Sequence, residues 1–348
     1  MYYRLLKGLL NYKNLELTAI LLNEGKLADE IRKLGIPVNI VDETRLNFFE
    51  IVRNVRKIIT LASPDIIHSH RQKENILAYL SAKSDKKIQL VCTQHGMPEP
   101  LRVKLKIIKQ IFLTNYNNFI LSRHFKYIIA VSEDIQRTFV IRYGIPKEKT
   151  LAIYNGTDIS NNHATNRKRN YFVIGSAGRL FPIKDYPFMV EIAREVIKHT
   201  DKVQFELAGE GPEMQRILCL IQKYHLENVF ILRGFIDNME PFYKGLDLYI
   251  NTSFHEGFPM SILEAMAHGL PIISTNTGGL KEILNNGVQG YLVEERDPIT
   301  FADKCLKIYR DKEIYLKMGT ASREKVINEF SLGKMAEKYY NLYLNLLG

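Results

Sequence analysis

The chain has 348 residues, 46% of them apolar and a quarter charged, which predicts about two domains with ordinary cores. Its three cysteines, Cys92, Cys219 and Cys305, form no CxxC pair, which argues against a disulfide framework or a zinc site and fits a reducing compartment. No apolar run reaches the roughly 18 residues of a membrane span, and residues 1–11 show no cleavage-site pattern, so the expected location is cytoplasmic.

Charge divides the chain. Residues 1–158 hold 25 Lys and Arg against 15 Asp and Glu, a net of +10, whereas residues 159–348 hold 23 of each. In chain order, residues 1–10 read as a helix. Short β-rich runs follow at 15–22, 38–41, 65–70, 89–93, 127–132 and 150–154, with a helical stretch at 47–61. Between 101 and 132 six basic residues (Arg102, Lys104, Lys106, Lys109, Arg123, Lys126) interleave with apolar ones and no acid intervenes. Such a segment suits either a solvated helix packed on its own domain or the surface of an anionic membrane, placing the protein on the inner face of the plasma membrane. Nucleic acid is not expected, because no binding motif accompanies the charge.

Residues 159–170 (ISNNHATNRKRN) are polar and read as a linker. Beyond it strand-like runs recur at 171–177, 203–208, 229–232, 247–251, 271–275 and 290–293, with a helical stretch at 186–199 and a closing helix over 334–348. Strand–helix alternation implies parallel sheets covered on both faces. The expected architecture is α/β, with two Rossmann-like domains over 1–158 and 171–333; the closing helix is expected to return to the first. A Rossmann-like domain ordinarily opens with a strand and a glycine-rich turn. The first domain is expected to lack both.

Two segments carry chemistry. Segment 255–269 (HEGFPMSILEAMAHG) follows a strand, at the sheet end where open α/β folds bind ligands. Pro259 suits the first turn of a helix and Gly269 its end, so amides near Met260 and Ser261 form a natural phosphate site. Glu256 precedes the helix and Glu264 lies inside it. Segment 175–187 (GSAGRLFPIKDYP) also follows a strand, and its Arg179 and Lys184 suit a diphosphate. Capped helices with surface carboxylates and solvated charged loops are the ordinary alternatives. The turns 209–212 (GEGP) and 155–158 (NGTD) are weak signals alone.

Together these segments resemble the glycogen-synthase-like retaining glycosyltransferases, glycosyltransferase family four, of GT-B fold. The strongest match is the pair Glu256 and Glu264 inside EGFPxxxxEAMAxGxP. Gly178–Arg179–Leu180 with Lys184, LAGEGP at 207–212, RGF at 233–235 and TGGLKE at 277–282 agree. In the first half DIIHSH at 65–70, QHG at 94–96, VSE at 131–133 and NGTD fit as well. The resemblance implies that Arg179 and Lys184 bind the donor diphosphate, Glu256 contacts sugar hydroxyls, Glu264 holds the ribose, and His95 faces the reacting sugar. Gly178, Gly211, Arg233, Gly257, Phe258, Pro259, Met260 and Ser261 would complete the donor site. The implied activity is retaining, metal-independent transfer from a UDP- or GDP-sugar to a lipid-linked or polysaccharide-precursor acceptor, with no cofactor. A nucleotide-sugar 2-epimerase is the alternative of the same architecture. A nucleotide-sugar-binding protein inactive through the missing opening strand and loop is the other.

Overall fold

The computed structural model describes residues 1–96, 104–159 and 170–348. It divides into two compact units, Met1–Gly156 with Leu332–Gly348, and Thr157–Ser331. The expected linker lies outside the described residues apart from Ile159 and Asn170. So do Arg102 and the side chains of Lys104, Lys106 and Lys109 in the basic segment.

In chain order the first unit runs α1 (Tyr2–Leu9), β1 (Ala19–Leu21), α2 (Lys26–Lys33), β2 (Val38–Ile40), α3 (Phe48–Ala62), β3 (Ile66–Ser69), α4 (Gln72–Ala82), β4 (Gln89–Gln94), α5 (Lys104–His124), β5 (Tyr127–Ala130), α6 (Glu133–Ile141) and β6 (Thr150–Ala152). β1 is shorter than the run at 15–22 because a turn, Leu15 N to Tyr12 O at 3.1 Å, occupies its start. Helix α3 shows how local sequence sets boundaries. Asn47 accepts from the amides of Phe49 and Glu50, and Glu50 accepts in return from Asn47 N, a reciprocal cap. Ser63, at a left-handed φ of 44°, ends it ahead of Pro64. β3, β4, β5 and β6 pair in that order as a parallel sheet, while β1 and β2 form a separate parallel pair. The expected single sheet is thus in two pieces.

The second unit contains β7 (Phe172–Ala177), α7 (Tyr186–Ile197), β8 (Val203–Ala208), α8 (Met214–Lys223), β9 (Phe230–Gly234), α9 (Glu240–Gly245), β10 (Leu248–Asn251), α10 (Met260–Ala267), β11 (Ile272–Thr275), α11 (Leu280–Ile283), β12 (Gly290–Val293), α12 (Pro298–Arg310) and α13 (Lys312–Glu329). Each strand expected from the sequence thus has a counterpart. The six strands make one parallel sheet in the order β12-β11-β10-β7-β8-β9. Along β8, Val203, Phe205 and Leu207 are buried in the core with α7, α8 and α12, and Gln204 and Glu206 take the other face. The last helix, α14 (Leu332–Leu347), belongs to the first unit, where Tyr339, Leu342 and Tyr343 pack with Leu5 and Leu9 of α1 and with Val91 and Ile129.

Candidate active site

The strand order of the second sheet reverses between β7 and β10: from β7 the chain builds outward through β8 and β9, and from β10 through β11 and β12. Loops leaving the carboxyl ends of these two strands diverge, and the crevice they leave is the expected ligand site of an open parallel sheet. Lys184 comes from the loop after β7 and Glu256 from the loop after β10. Their side chains meet: Lys184 Nζ lies 2.5 Å from Glu256 Oε1, both largely shielded from solvent. The Ser253 hydroxyl donates to the same carboxylate oxygen at 2.6 Å. A cation and an anion are therefore held at one point.

The two loops are clipped together beneath the pair. Phe254 N donates to Ile183 O at 2.8 Å and the Thr252 hydroxyl to Lys184 O at 2.9 Å. Arg296, from the loop after β12, donates to Thr252 O, pairs with Asp185, and lies 4.0 Å from the Phe254 ring centroid. Asp185 holds a left-handed φ of 46°, a strain sustained only where neighbours fix it. Burial pushes its carboxyl upward against the pull of Arg296.

Close approach requires glycine at Gly278 in particular. Its φ is +55°, and a Cβ there would lie 2.0 Å from Glu256 O, the carbonyl that accepts from Gly279 N. The TGGLKE segment thus supports Glu256 from behind. Gly211 plays the same part in the GEGP turn, where an added Cβ would meet Leu180 O at 2.6 Å.

Helix α10 begins at Met260 with Pro259 as its N-cap, and no side chain caps it. Its first amides and its dipole offer a place for an anion beside Glu256, with Gly257 and Phe258 leading in. Phe258 is buried edge-on against Phe330, which anchors the turn. Tyr249 ties this end to β7, its hydroxyl within 3.1–3.2 Å of Ala177 N and O, and burial pushes it up to about 12. Further along α10, Glu264 Oε2 accepts from the Tyr243 hydroxyl at 2.6 Å, and Tyr243 stacks on His268.

The remaining expected residues are placed as follows. Arg179 shares the loop of Lys184, with its guanidinium 4.8 Å from the Phe181 ring centroid. Gly178, at the end of β7, packs under Tyr186, whose hydroxyl a Cβ would meet at 2.7 Å. Arg233 forms a two-pronged pair with Glu206 at 3.1 and 2.6 Å across β8 and β9, apart from the Lys184–Glu256 contact. His95, beyond the end of β4, belongs to the first unit. There it sits in a stack: its Nε2 lies 3.1 Å from His70 Nδ1, and His70 stacks on His68. His68 in turn lies 2.6 Å from the Tyr343 hydroxyl and 2.8 Å from that of Thr93. Burial, then the α-amino group of Met1 and Arg71, lower His95 to about 4; burial and then His95 lower His68 to about 3. All three rings are neutral at pH 7.

Sequence reasoning missed Ser253, Tyr243, Tyr249 and Arg296. Only Ser253 had a signal, its place two residues beyond a strand and three before Glu256.

Two parallel α/β units, one with a cation and a carboxylate at its switch point beside an uncapped helix start, define a nucleotide-handling protein of two Rossmann-like domains. Family models described as Glycosyltransferase Family 4 and Glycosyl transferases group 1 match residues 3–161 and 158–325. The chain belongs to the family-four glycosyltransferases. Among curated proteins it is 26% identical to the Escherichia coli UDP-Gal:alpha-D-GlcNAc-diphosphoundecaprenol alpha-1,3-galactosyltransferase, over 92% of this chain and 86% of that one. It is 29% identical to the Bacillus anthracis N-acetyl-alpha-D-glucosaminyl L-malate synthase, over 81% and 75%. Among solved structures, Anabaena HepE in complex with UDP and glucose superposes with a TM-score of 0.83 at 20% identity, covering 98% of this chain and 95% of that one. A glycosyltransferase from Rickettsia africae gives 0.80 at 24%, over 99% and 94%. These likenesses establish the GT-B fold.

Proposed function

We propose that the protein transfers a hexose from a UDP-sugar, with retention and without a metal, to a lipid-linked saccharide of cell-surface polysaccharide synthesis. The observation that carries this reading is the Lys184–Glu256 contact at the switch point, beside the uncapped start of α10. Cleavage of the sugar–phosphate bond leaves growing negative charge on the diphosphate. Lys184, Arg179 and the α10 amides would take up that charge, an arrangement in which loss of one donor typically costs about 10²–10³ in rate. With cations and amides in this role, the site needs no metal to neutralise the leaving group.

Glu256 would accept from sugar hydroxyls through its second oxygen, and Glu264, oriented by Tyr243, would hold the ribose. His95, neutral at pH 7, is suited to hydrogen-bond a sugar hydroxyl rather than to carry charge. Three relatives are named for alpha products, among them the Staphylococcus aureus poly(ribitol-phosphate) alpha-N-acetylglucosaminyltransferase. Common UDP-hexoses carry the sugar in the same anomeric sense, so retention is the simplest mapping.

The lipid-linked acceptor follows from the E. coli relative's name and from α5. Ile108, Ile111, Phe112 and Phe119 stand out from this helix, 50–70% exposed, while Asn117, Ile120 and Leu121 face the unit. An apolar face on a basic helix fits an anionic bilayer surface. Among the described residues no helix is long and apolar enough to cross a membrane.

The test is a panel of UDP- and GDP-sugars offered with a polyprenyl-diphosphate saccharide, with the product anomer read by NMR. An α-linked product that forms equally in EDTA supports the reading. A β product, a dependence on divalent metal, or conversion of donor to its 2-epimer without acceptor refutes it.

A further inference from the structure

Loops leave the carboxyl edge of the second sheet after β7, β10 and β12, and the side chain of Arg296 joins all three. β12 stands at the sheet's edge, two places from β10 and three from β7, yet Arg296 reaches back across both. Its Nη1 and Nη2 each lie 3.1 Å from Thr252 O, the first carbonyl of the loop after β10. Nη2 also pairs with Asp185 in the loop after β7. The guanidinium lies over two rings besides, 4.8 Å from the Phe188 centroid and 4.0 Å from that of Phe254. A flat guanidinium can stack and donate along its fork at once, whereas an ammonium has neither the face nor the second nitrogen.

The two points that Arg296 grips flank the functional pair. Asp185 directly follows Lys184, and its left-handed φ of 46° persists only while neighbours fix it. Thr252 directly precedes Ser253, whose hydroxyl holds the Glu256 carboxylate at 2.6 Å. One cation therefore fixes the backbone beside Lys184 and the backbone beside the group that orients Glu256. The bonds from Phe254 N to Ile183 O and from the Thr252 hydroxyl to Lys184 O lie between those points, at 2.8 and 2.9 Å. Arg296 is itself firmly seated. Asp297 caps α12 through the amides of Ile299 and Thr300, with Pro298 in the first turn, so the backbone next to Arg296 is set by the helix start. Phe188, under the guanidinium, rests edge-on against Phe301 of α12 at 5.2 Å. Removing the positive charge would strand the Asp185 carboxyl without its partner, so lysine is the replacement that isolates geometry from charge.

On the reading that Lys184 takes up charge on the donor diphosphate, we propose that Arg296 is a positioning residue for the transfer. It presets Lys184 against Glu256 before the donor arrives, and it acts on the diphosphate only through Lys184. Arg296→Lys keeps the charge and loses the fork and the stack. In the absence of nucleotide, exchange of the Phe254 amide should quicken about tenfold as its bond to Ile183 O loosens. Unchanged exchange would overturn the proposal, whatever the outcome of transfer assays. With donor present, UDP affinity and kcat should each fall about tenfold, the effect of a small misplacement, while KM for the acceptor is unchanged. In a Lys184→Ala background the same replacement should alter neither, because the group it positions is gone. An equal loss in both backgrounds would mean that Arg296 touches the donor itself or merely supports the unit, and would overturn the proposal. So would a loss of activity that only follows a falling melting temperature. Absence of transfer by the unaltered chain would refute the proposed function instead, and the Phe254 exchange and the UDP affinities would still decide the role of Arg296.

Discussion

Acid should loosen the first unit before it reaches any carboxylate, because His68 and His95 are neutral there by burial. The folded values, about 3 and about 4, lie below the ordinary histidine value near 6.5. A depressed folded value means that the unfolded chain binds more protons below pH 6.5. The stabilisation is therefore complete above about 6.5 and is lost as pH falls toward the folded values. At pH 5 the unfolded ring is almost wholly ionised and the folded one is not, so each ring costs about 2 kcal/mol relative to pH 7.5, about 4 for the two. For a unit of this size that corresponds to roughly 8–16 °C in melting temperature. The groups around the stack are His70, Arg71, the Met1 α-amino group, Tyr2, Tyr339 and Tyr343, none of which supplies a counter-charge to an imidazolium. The lowered carboxyls of Glu24, Glu30 and Asp42 act below this window. The assay is melting by circular dichroism between pH 7.5 and 5.0, with exchange at β4 and β5 to assign the transition. His95→Gln should reduce the slope without abolishing it, because His68 and His70 are lowered by burial as well. A melting temperature flat over this range, or an undiminished slope in His68→Gln/His95→Gln, would refute the reasoning.

Gly278→Ala should cost more than Gly287→Ala, although both sites have positive φ, because only Gly278 has a backbone oxygen 2.0 Å from the new methyl. Strain alone is about 1–2 kcal/mol, and only Gly278→Ala should also weaken UDP binding in calorimetry. Tyr243→Phe removes the 2.6 Å bond to Glu264. A bond to a charged group contributes about 1.5–3 kcal/mol, so nucleotide affinity should fall about tenfold with the fold intact by circular dichroism. Ile111→Ser/Phe112→Ser on the outward face of α5 should abolish sedimentation with anionic vesicles and leave UDP affinity unchanged.

The strands were legible because each is a short apolar, β-rich run bounded by turn residues, and the pattern needs no tertiary knowledge. Sheet order was not. Lys184 and Glu256 stand out as separate motifs 72 residues apart, and their contact exists only because β10 lies beside β7. Arg233 was expected in the donor site because the resemblance implied it. Its pairing with Glu206 depends on β8 lying beside β9, where the ladder also shifts register, and neither is written in the local sequence. DIIHSH and QHG were visible as two motifs. The pairing of β3 with β4, Ser69 opposite Cys92, is what brings His70 and His95 together beyond neighbouring strand ends. Tyr243 sits on a six-residue helix whose pattern is too short to reveal a face.

The most direct measurement is sugar transfer by Lys184→Ala beside the unaltered chain, with saturating UDP-sugar and a polyprenyl-diphosphate saccharide. If Lys184 takes up charge on the departing diphosphate, kcat falls about 10²–10³-fold while the melting temperature stays within a few degrees. Turnover at the unaltered rate would contradict the central claim.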